Sequence, residues 1–117
     1  MNVEIDLHDG HTVARLPARL GLADANKVRR SLEEQIDGIP ARMVIDLSAV
    51  EFADSSGLAA LLAVIKSVRR QGGDIVLAAP RPRLRALIEL TRLDDVVPVL
   101  PTVDEASGHL STTDRAA

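Results

Sequence analysis

Two hydroxyls stand side by side in Asp54-Ser55-Ser56-Gly57, and hydroxyls in such a setting suit two chemistries. A serine nucleophile needs a neighbouring base to take its proton. A phosphoacceptor needs only exposure and a partner enzyme, and the phosphate brings about −1.5 to −2 charges and three acceptor oxygens to one surface point. The first chemistry has little support. Ala53-Asp54-Ser55-Ser56-Gly57 lacks the first glycine and the centred serine of a G-x-S-x-G elbow. The histidines, His8, His11 and His109, fall around a hairpin turn and near the C-terminus, and the turn pair is expected in solvent. The sequence holds no P-loop, no G-x-G-x-x-G, no metal-spaced cluster and no cysteine. No catalytic residue, cofactor or metal is expected, and the chain reads as a non-enzyme.

What must position the serines is a strand and a helix. The strand, about Arg42 to Leu47, carries from Val44 on an apolar run broken only by Asp46, the pattern of a strand covered on both faces. After the serines, Leu58, Leu61, Leu62, Ile65 and Val68 recur at helical spacing and form one apolar stripe. Asp54 or Ser55 can cap this helix, so Ser55 lies at or beside its positive end, where a phosphate oxygen is tolerated. Gly57, Ala59 and Ala60 are small and let another protein approach closely. Phe52, the sole aromatic residue, is expected to anchor the loop in the core. Helix capping alone explains an Asp-Ser-Ser run. The strand before it and the stripe after it favour a functional site.

The rest of the chain supplies the frame. Val3, Ile5 and Leu7 alternate with polar residues as a half-buried strand, and Asp9-Gly10 turns it back as Thr12 to Leu16. Pro17 ends that strand. Ala25, Val28, Leu32 and Ile36 mark a first helix with Asp24 near its start, Gly38 past its end and Pro40 beyond. The second helix stops at Gly72-Gly73 after Arg69-Arg70. Ile75 to Ala79 is a buried strand, and Pro82 opens a third helix whose inner face is Leu84, Leu87, Ile88 and Thr91. Val96 to Leu100, with Pro98, is a weak edge strand, and Thr102-Val103-Asp104-Glu105 is a capping box opening a short last helix. The order β-β-α-β-α-β-α-β-α predicts an α/β fold: an N-terminal β-hairpin, a mixed, mostly parallel sheet of about 4–5 strands, and four helices. One domain over 1–110 is expected, with 111–117 as a frayed tail.

Charge narrows the partners. Lys+Arg 14 against Asp+Glu 17 gives a net −3 and a pI near 5.5, which argues against nucleic acid. The start has neither a basic n-region nor an apolar h-region, and the longest apolar run, Leu58 to Ile65, is too short to span a membrane. A cytoplasmic location without direct membrane contact is expected. Arg81, Arg83, Arg85 and Arg92 concentrate positive charge around the third helix. They form either a solvated face or a contact surface for an acidic partner or phosphate group, which Leu90 and Leu93 would widen.

Asp54-Ser55-Ser56-Gly57-Leu58 after Val44-Ile45-Asp46-Leu47-Ser48-Ala49-Val50 resembles the bacterial anti-sigma factor antagonists of the STAS family. Leu87 to Leu93, Val96-Val97 and the Asp104-Glu105-Ala106 helix are similar too, so the resemblance spans nearly the whole chain. It implies the STAS fold and a partner-switching phosphoprotein. The unphosphorylated form would bind an anti-sigma factor that is a serine kinase of the GHKL type, releasing the sigma factor. Phosphorylation of Ser55, with Ser56 as second choice, would switch it off, and a PP2C-type phosphatase would reset it. ATP would belong to the kinase. The implied partner-binding residues are Asp54, Ser55, Ser56, Gly57, Ala59 and Ala60. In one place the chain departs from the pattern. Many members carry Gly-x-Leu-Asp before the first helix; here Ala18-Arg19-Leu20-Gly21 puts glycine where the acid stands, with Asp24 as a candidate substitute. Two alternatives stay open: a STAS subunit of a membrane lipid-transport ATPase complex, and a partner-switching regulator of a target other than a sigma factor.

Overall fold

The computed structural model describes residues 3–8, 10–36 and 42–116, with side chains as far as Leu110. In chain order the elements are β1 (Glu4–His8), β2 (His11–Arg15), β3 (Arg19–Leu20), α1 (Leu22–Glu33), β4 (Arg42–Asp46), β5 (Phe52–Ala53), α2 (Ser55–Arg70), β6 (Asp74–Ala78), α3 (Pro82–Leu90), β7 (Val99–Leu100) and α4 (Val103–Ala116). A 3₁₀ turn, Leu93–Asp95, lies between α3 and β7.

The main sheet has the order β1-β2-β4-β6-β7. Its first pair is the antiparallel hairpin, and β2–β4, β4–β6 and β6–β7 are all parallel. This is the expected mixed sheet with four helices. Gly10 at φ +87° makes the hairpin turn, a backbone that glycine adopts without Cβ strain. Strand alternation divides the core in two. Ala14, Met43, Ile45, Ile75 and Leu77 face a layer that includes Val28 and Leu32 of α1, Leu61 and Ile65 of α2, and Leu84 and Ile88 of α3. Val13, Val44, Val76 and Ala78 face Ala106 and Leu110 of α4. The central strands are thus buried on both faces, which is why residues 43–45 of β4 and 75–78 of β6 read as continuous apolar runs. Asp46, the last residue of β4, accepts from the Ser48 N–H at 2.9 Å and shapes the turn that leaves the strand.

Helix ends follow their local signals. Pro82 sits in the first turn of α3, Gly72 at φ +79° follows α2, and Thr102 Oγ1 accepts from the Glu105 N–H at 3.1 Å. Helix α1 ends at Glu33 with Glu34 as its C-cap, while Gly38 and Pro40 lie outside the described residues. Helix α4 continues to Ala116, through the segment expected to fray, whose side chains lie outside the described ones. Gly108, inside α4, would meet nothing within 4 Å on gaining a Cβ. Gly108→Ala is expected to stabilise the chain by about 0.5–1 kcal/mol, because alanine loses less backbone entropy in a helix. Urea unfolding checks it.

Several expectations are corrected. Leu7, expected half-buried, is 80% exposed, near the turn end of the edge strand β1. His11 is buried, not in solvent: β2 is an interior strand, and the His11 ring reaches Ser107 Oγ on α4 at 2.9 Å. Leu93, expected to widen an exposed patch, is buried. Arg92 takes a left-handed conformation at φ +60°, and the 3₁₀ turn after it swings Leu93 inward. Thr91, expected on the inner face of α3, is its exposed C-cap and donates to the Leu87 carbonyl at 2.9 Å. Leu90 is 81% exposed, as its position off the stripe requires. Among the described residues no helix is long and apolar enough to cross a membrane.

Candidate phosphoacceptor and docking site

The site forms where β4 hands the chain to α2. After β4 the backbone turns and pairs with the segment that follows the hairpin. The Ala18 carbonyl accepts from the Glu51 and Phe52 N–H groups at 2.7 and 3.1 Å, and β3 and β5 pair in parallel, Arg19 with Phe52 and Leu20 with Ala53. This two-residue ladder delivers Asp54 to the start of α2. Asp54 is extended at φ −123° and ψ −174°, and its carboxylate accepts from the Gly57 N–H at 3.1 Å. The cap is therefore Asp54, and Ser55 is the first helical residue.

Ser55 is exposed and Ser56 half-buried. Among the described residues no acceptor takes the N–H groups of Ser55 or Ser56, so this helix start offers donors and positive potential to an anion on the Ser55 hydroxyl. Ala59 is exposed one turn on. Gly57 and Ala60 are buried; Gly57 packs inside the fold, and Ala60 lines the floor of the groove that α1 and α2 form. Gly57 lets α2 run against Leu20: an added Cβ would overlap the Leu20 carbonyl oxygen and stand 2.7 Å from its Cγ. A shallow groove of about 280 Å³ follows, between Leu22, Asn26 and Arg29 of α1 and Ser56, Ala59 and Ala63 of α2.

Phe52 does not anchor the loop in the core. It is 43% exposed, with the Arg19 guanidinium 4.8 Å above its ring. The cause is strand alternation: β5 has two residues, Ala53 packs on the core, and Phe52 must point outward. Phe52 and Ala53 form one wall of a second groove of about 620 Å³, whose other wall is Arg81, Arg83, Leu84 and Leu87 at the start of α3. The arginine cluster is thereby divided. Arg81 and Arg83 line this groove, and Arg81 Nε donates to the Ser48 carbonyl at 2.8 Å. Arg85 pairs with Glu89 at 3.5 Å and Arg92 with Asp95 at 3.6 Å, both on the surface.

A nucleophilic serine would need a base, and the histidines are elsewhere. His11 opens β2 and contacts α4 on the opposite face of the sheet from α2, and the His8 ring stacks on it at 6.0 Å. His109 is carried by α4. Three features escaped sequence reasoning: the β3–β5 ladder, the Arg19–Phe52 stack and a contact of Asp54 with α1. A two-residue strand has no periodicity to read, and the other two join residues far apart in sequence.

A family model described as the STAS domain matches residues 2–106. An anti-sigma-B factor antagonist of Listeria monocytogenes is 30% identical, covering 93% of this chain and 98% of its own. The crystal structure of an anti-sigma factor antagonist from Mycobacterium paratuberculosis superposes with a TM-score of 0.86 at 31% identity, covering 94% of this chain and 93% of that one. The Bacillus cell fate determinant SpoIIAA in its phosphorylated form has a TM-score of 0.70 at 19% identity, over 92% of this chain and 98% of that one, a likeness of fold alone. From its hairpin to its last helix, this chain belongs to the STAS domain family.

Proposed function

We propose that the chain is an anti-sigma factor antagonist that works by partner switching. In the unphosphorylated state it docks through the exposed start of α2 on an anti-sigma factor of the GHKL kinase type, and the sigma factor is released. The kinase transfers the γ-phosphoryl group of ATP to Ser55 Oγ; the hydroxyl proton leaves and ADP remains on the kinase. The chain is ligand and substrate here, and it binds no nucleotide of its own. A PP2C-type phosphatase hydrolyses the phosphoserine with water and restores the docking form.

The observation that supports this reading is the exposed Ser55 hydroxyl on the first turn of α2, beside a carboxylate already engaged as the cap. A phosphate there needs no refolding to act. It adds charge and a hydration shell to a surface that docks through small side chains, and repulsion and desolvation oppose the complex. The names of the similar antagonists from Listeria and Mycobacterium support the same role, and the phosphorylated SpoIIAA shows that a protein of this fold carries phosphate.

The test is intact-mass analysis after incubation with the cognate kinase and ATP. A single addition of about 80 Da, one phosphoryl group, is expected in the unaltered chain and in Ser56→Ala, and none in Ser55→Ala. No addition to the unaltered chain, with the kinase active on a control substrate, overturns the switch and favours a constitutive docking subunit of a transport ATPase.

A further inference from the structure

Asp54 serves two helices. Its Oδ1 accepts from the Gly57 N–H of α2 at 3.1 Å, and its Oδ2 accepts from the Leu22 N–H of α1 at 3.2 Å, 32 residues away in sequence. Helix α1 has no cap of its own, because Gly21 stands at its N-cap with no side chain to offer. Gly21 also makes room. A Cβ there would lie 3.3 Å from Asp54 Oδ2 and 2.9 Å from Phe52 Cε2, so a larger residue would crowd the carboxylate and the ring together. The acid that meets the start of α1 comes from the other loop, as Asp54. An ionised carboxylate has the acceptor capacity for both bonds, and charge assistance strengthens each.

The residue held in this way belongs to the docking face. Leu22 is 76% exposed and borders the shallow groove that Ser56 and Ala59 line from the other side. Ser55 follows Asp54 directly, so a phosphate on it places like charge beside the carboxylate. The same phosphate brings acceptors to the N–H groups of α2. The two helix starts then differ. The α2 N–H groups gain an alternative acceptor, whereas among the described residues the Leu22 N–H has Asp54 alone.

We propose that Asp54 is a positioning residue that couples Ser55 to α1: its two oxygens hold both helix starts in register, and phosphate on Ser55 weakens its hold on Leu22, so the partner meets an altered α1 as well as a charged α2. This deepens the reading of Ser55 as the modified residue and rests on it.

The experiment is amide NMR of the whole chain, unmodified, as Asp54→Asn, with phosphoserine placed at position 55 during translation, and with both changes. Asparagine separates the two roles. It is a good N-cap for α2, but it has one acceptor oxygen where the carboxylate has two. A role limited to capping α2 would survive the change. In Asp54→Asn and in the phosphoserine form, the Leu22 amide is expected to shift upfield and to exchange about tenfold faster, the loss of one charge-assisted hydrogen bond. The Gly57 amide is expected to stay protected, and the doubly altered chain to show no further change at Leu22. A Leu22 amide indifferent to Asp54→Asn, or indifferent to the phosphoserine, overturns the coupling. A phosphoserine effect at Leu22 that persists in full on top of Asp54→Asn overturns the role of Asp54. No kinase is used, so a chain that its kinase fails to modify overturns the proposed switch and leaves this result standing.

Discussion

Gly57→Ala is expected to destabilise the chain by about 3 kcal/mol, the upper part of the range for overpacking a tight contact. The reason is backbone against backbone. An alanine Cβ at position 57 would overlap the Leu20 carbonyl oxygen and lie 2.9 Å from the Leu20 carbonyl carbon. Neither atom can rotate away as a side-chain tip would. Relief requires α2 to lift from β3, and that movement strains the Asp54 N–H to Leu20 carbonyl bond, already 3.3 Å long. Glycine is poor in a helix interior, but the close approach it permits outweighs that cost here. Urea unfolding measures the effect. Gly108→Ala, with open space around it, is the matched control and shifts stability the opposite way. A Gly57→Ala chain as stable as the unaltered one would mean that α2 does not seat on Leu20 as described.

Ser55→Glu is expected to weaken binding to the cognate anti-sigma kinase by about 100-fold, close to 3 kcal/mol, the scale of a like-charge juxtaposition or a buried unpaired charge at an interface. Glutamate carries one charge where phosphate carries nearly two, so the phosphorylated chain should bind more weakly still. Ser55→Ala loses no packing, because the side chain is exposed, and should bind within a few-fold of the unaltered chain while resisting the switch. Titration calorimetry of the three chains separates the cases. Equal affinity for Ser55→Glu and Ser55→Ala would place the docking surface away from this helix start. The groove between Phe52 and Arg83 would then become the surface to examine.

The parts of the site legible in sequence were those set by neighbours along the chain. A cap at Asp54 or Ser55, which the structure resolves as Asp54, the Pro82 start, the Gly72 stop and the Thr102 cap all depend on contacts within about four residues, which sequence displays directly. The apolar stripe of α2 followed its period closely: Leu58, Leu61, Ile65 and Val68 are buried, and Val64 joins them, while Leu62 sits at the margin. Phe52 shows where such reading fails. Hydrophobicity sends an aromatic inward, but a two-residue strand with Ala53 on the core side leaves its neighbour facing out. His11 fails for the complementary reason, since a residue beside a turn is buried when another helix packs over its strand.

By itself the sequence determined the order of the five main-sheet strands and four helices, the mixed sheet, the helix that carries Ser55 and the resemblance to the family. The elements follow from hydrophobic period and capping chemistry, both short-range properties of the chain, and the family from the resemblance of Asp54-Ser55-Ser56-Gly57-Leu58 and the strand before it. The tertiary structure alone decided which small residues are surface and which are packing, so that Ala59 faces out, Ala60 sits at the floor of a groove and Gly57 is packed against Leu20. It also decided that one carboxylate ends two helices. The Asp54–Leu22 bond exists because the β3–β5 ladder closes one loop on the other, and the glycine at position 21 leaves space for it. Contacts of that kind depend on where the closed sheet brings distant segments together, and no local pattern encodes them.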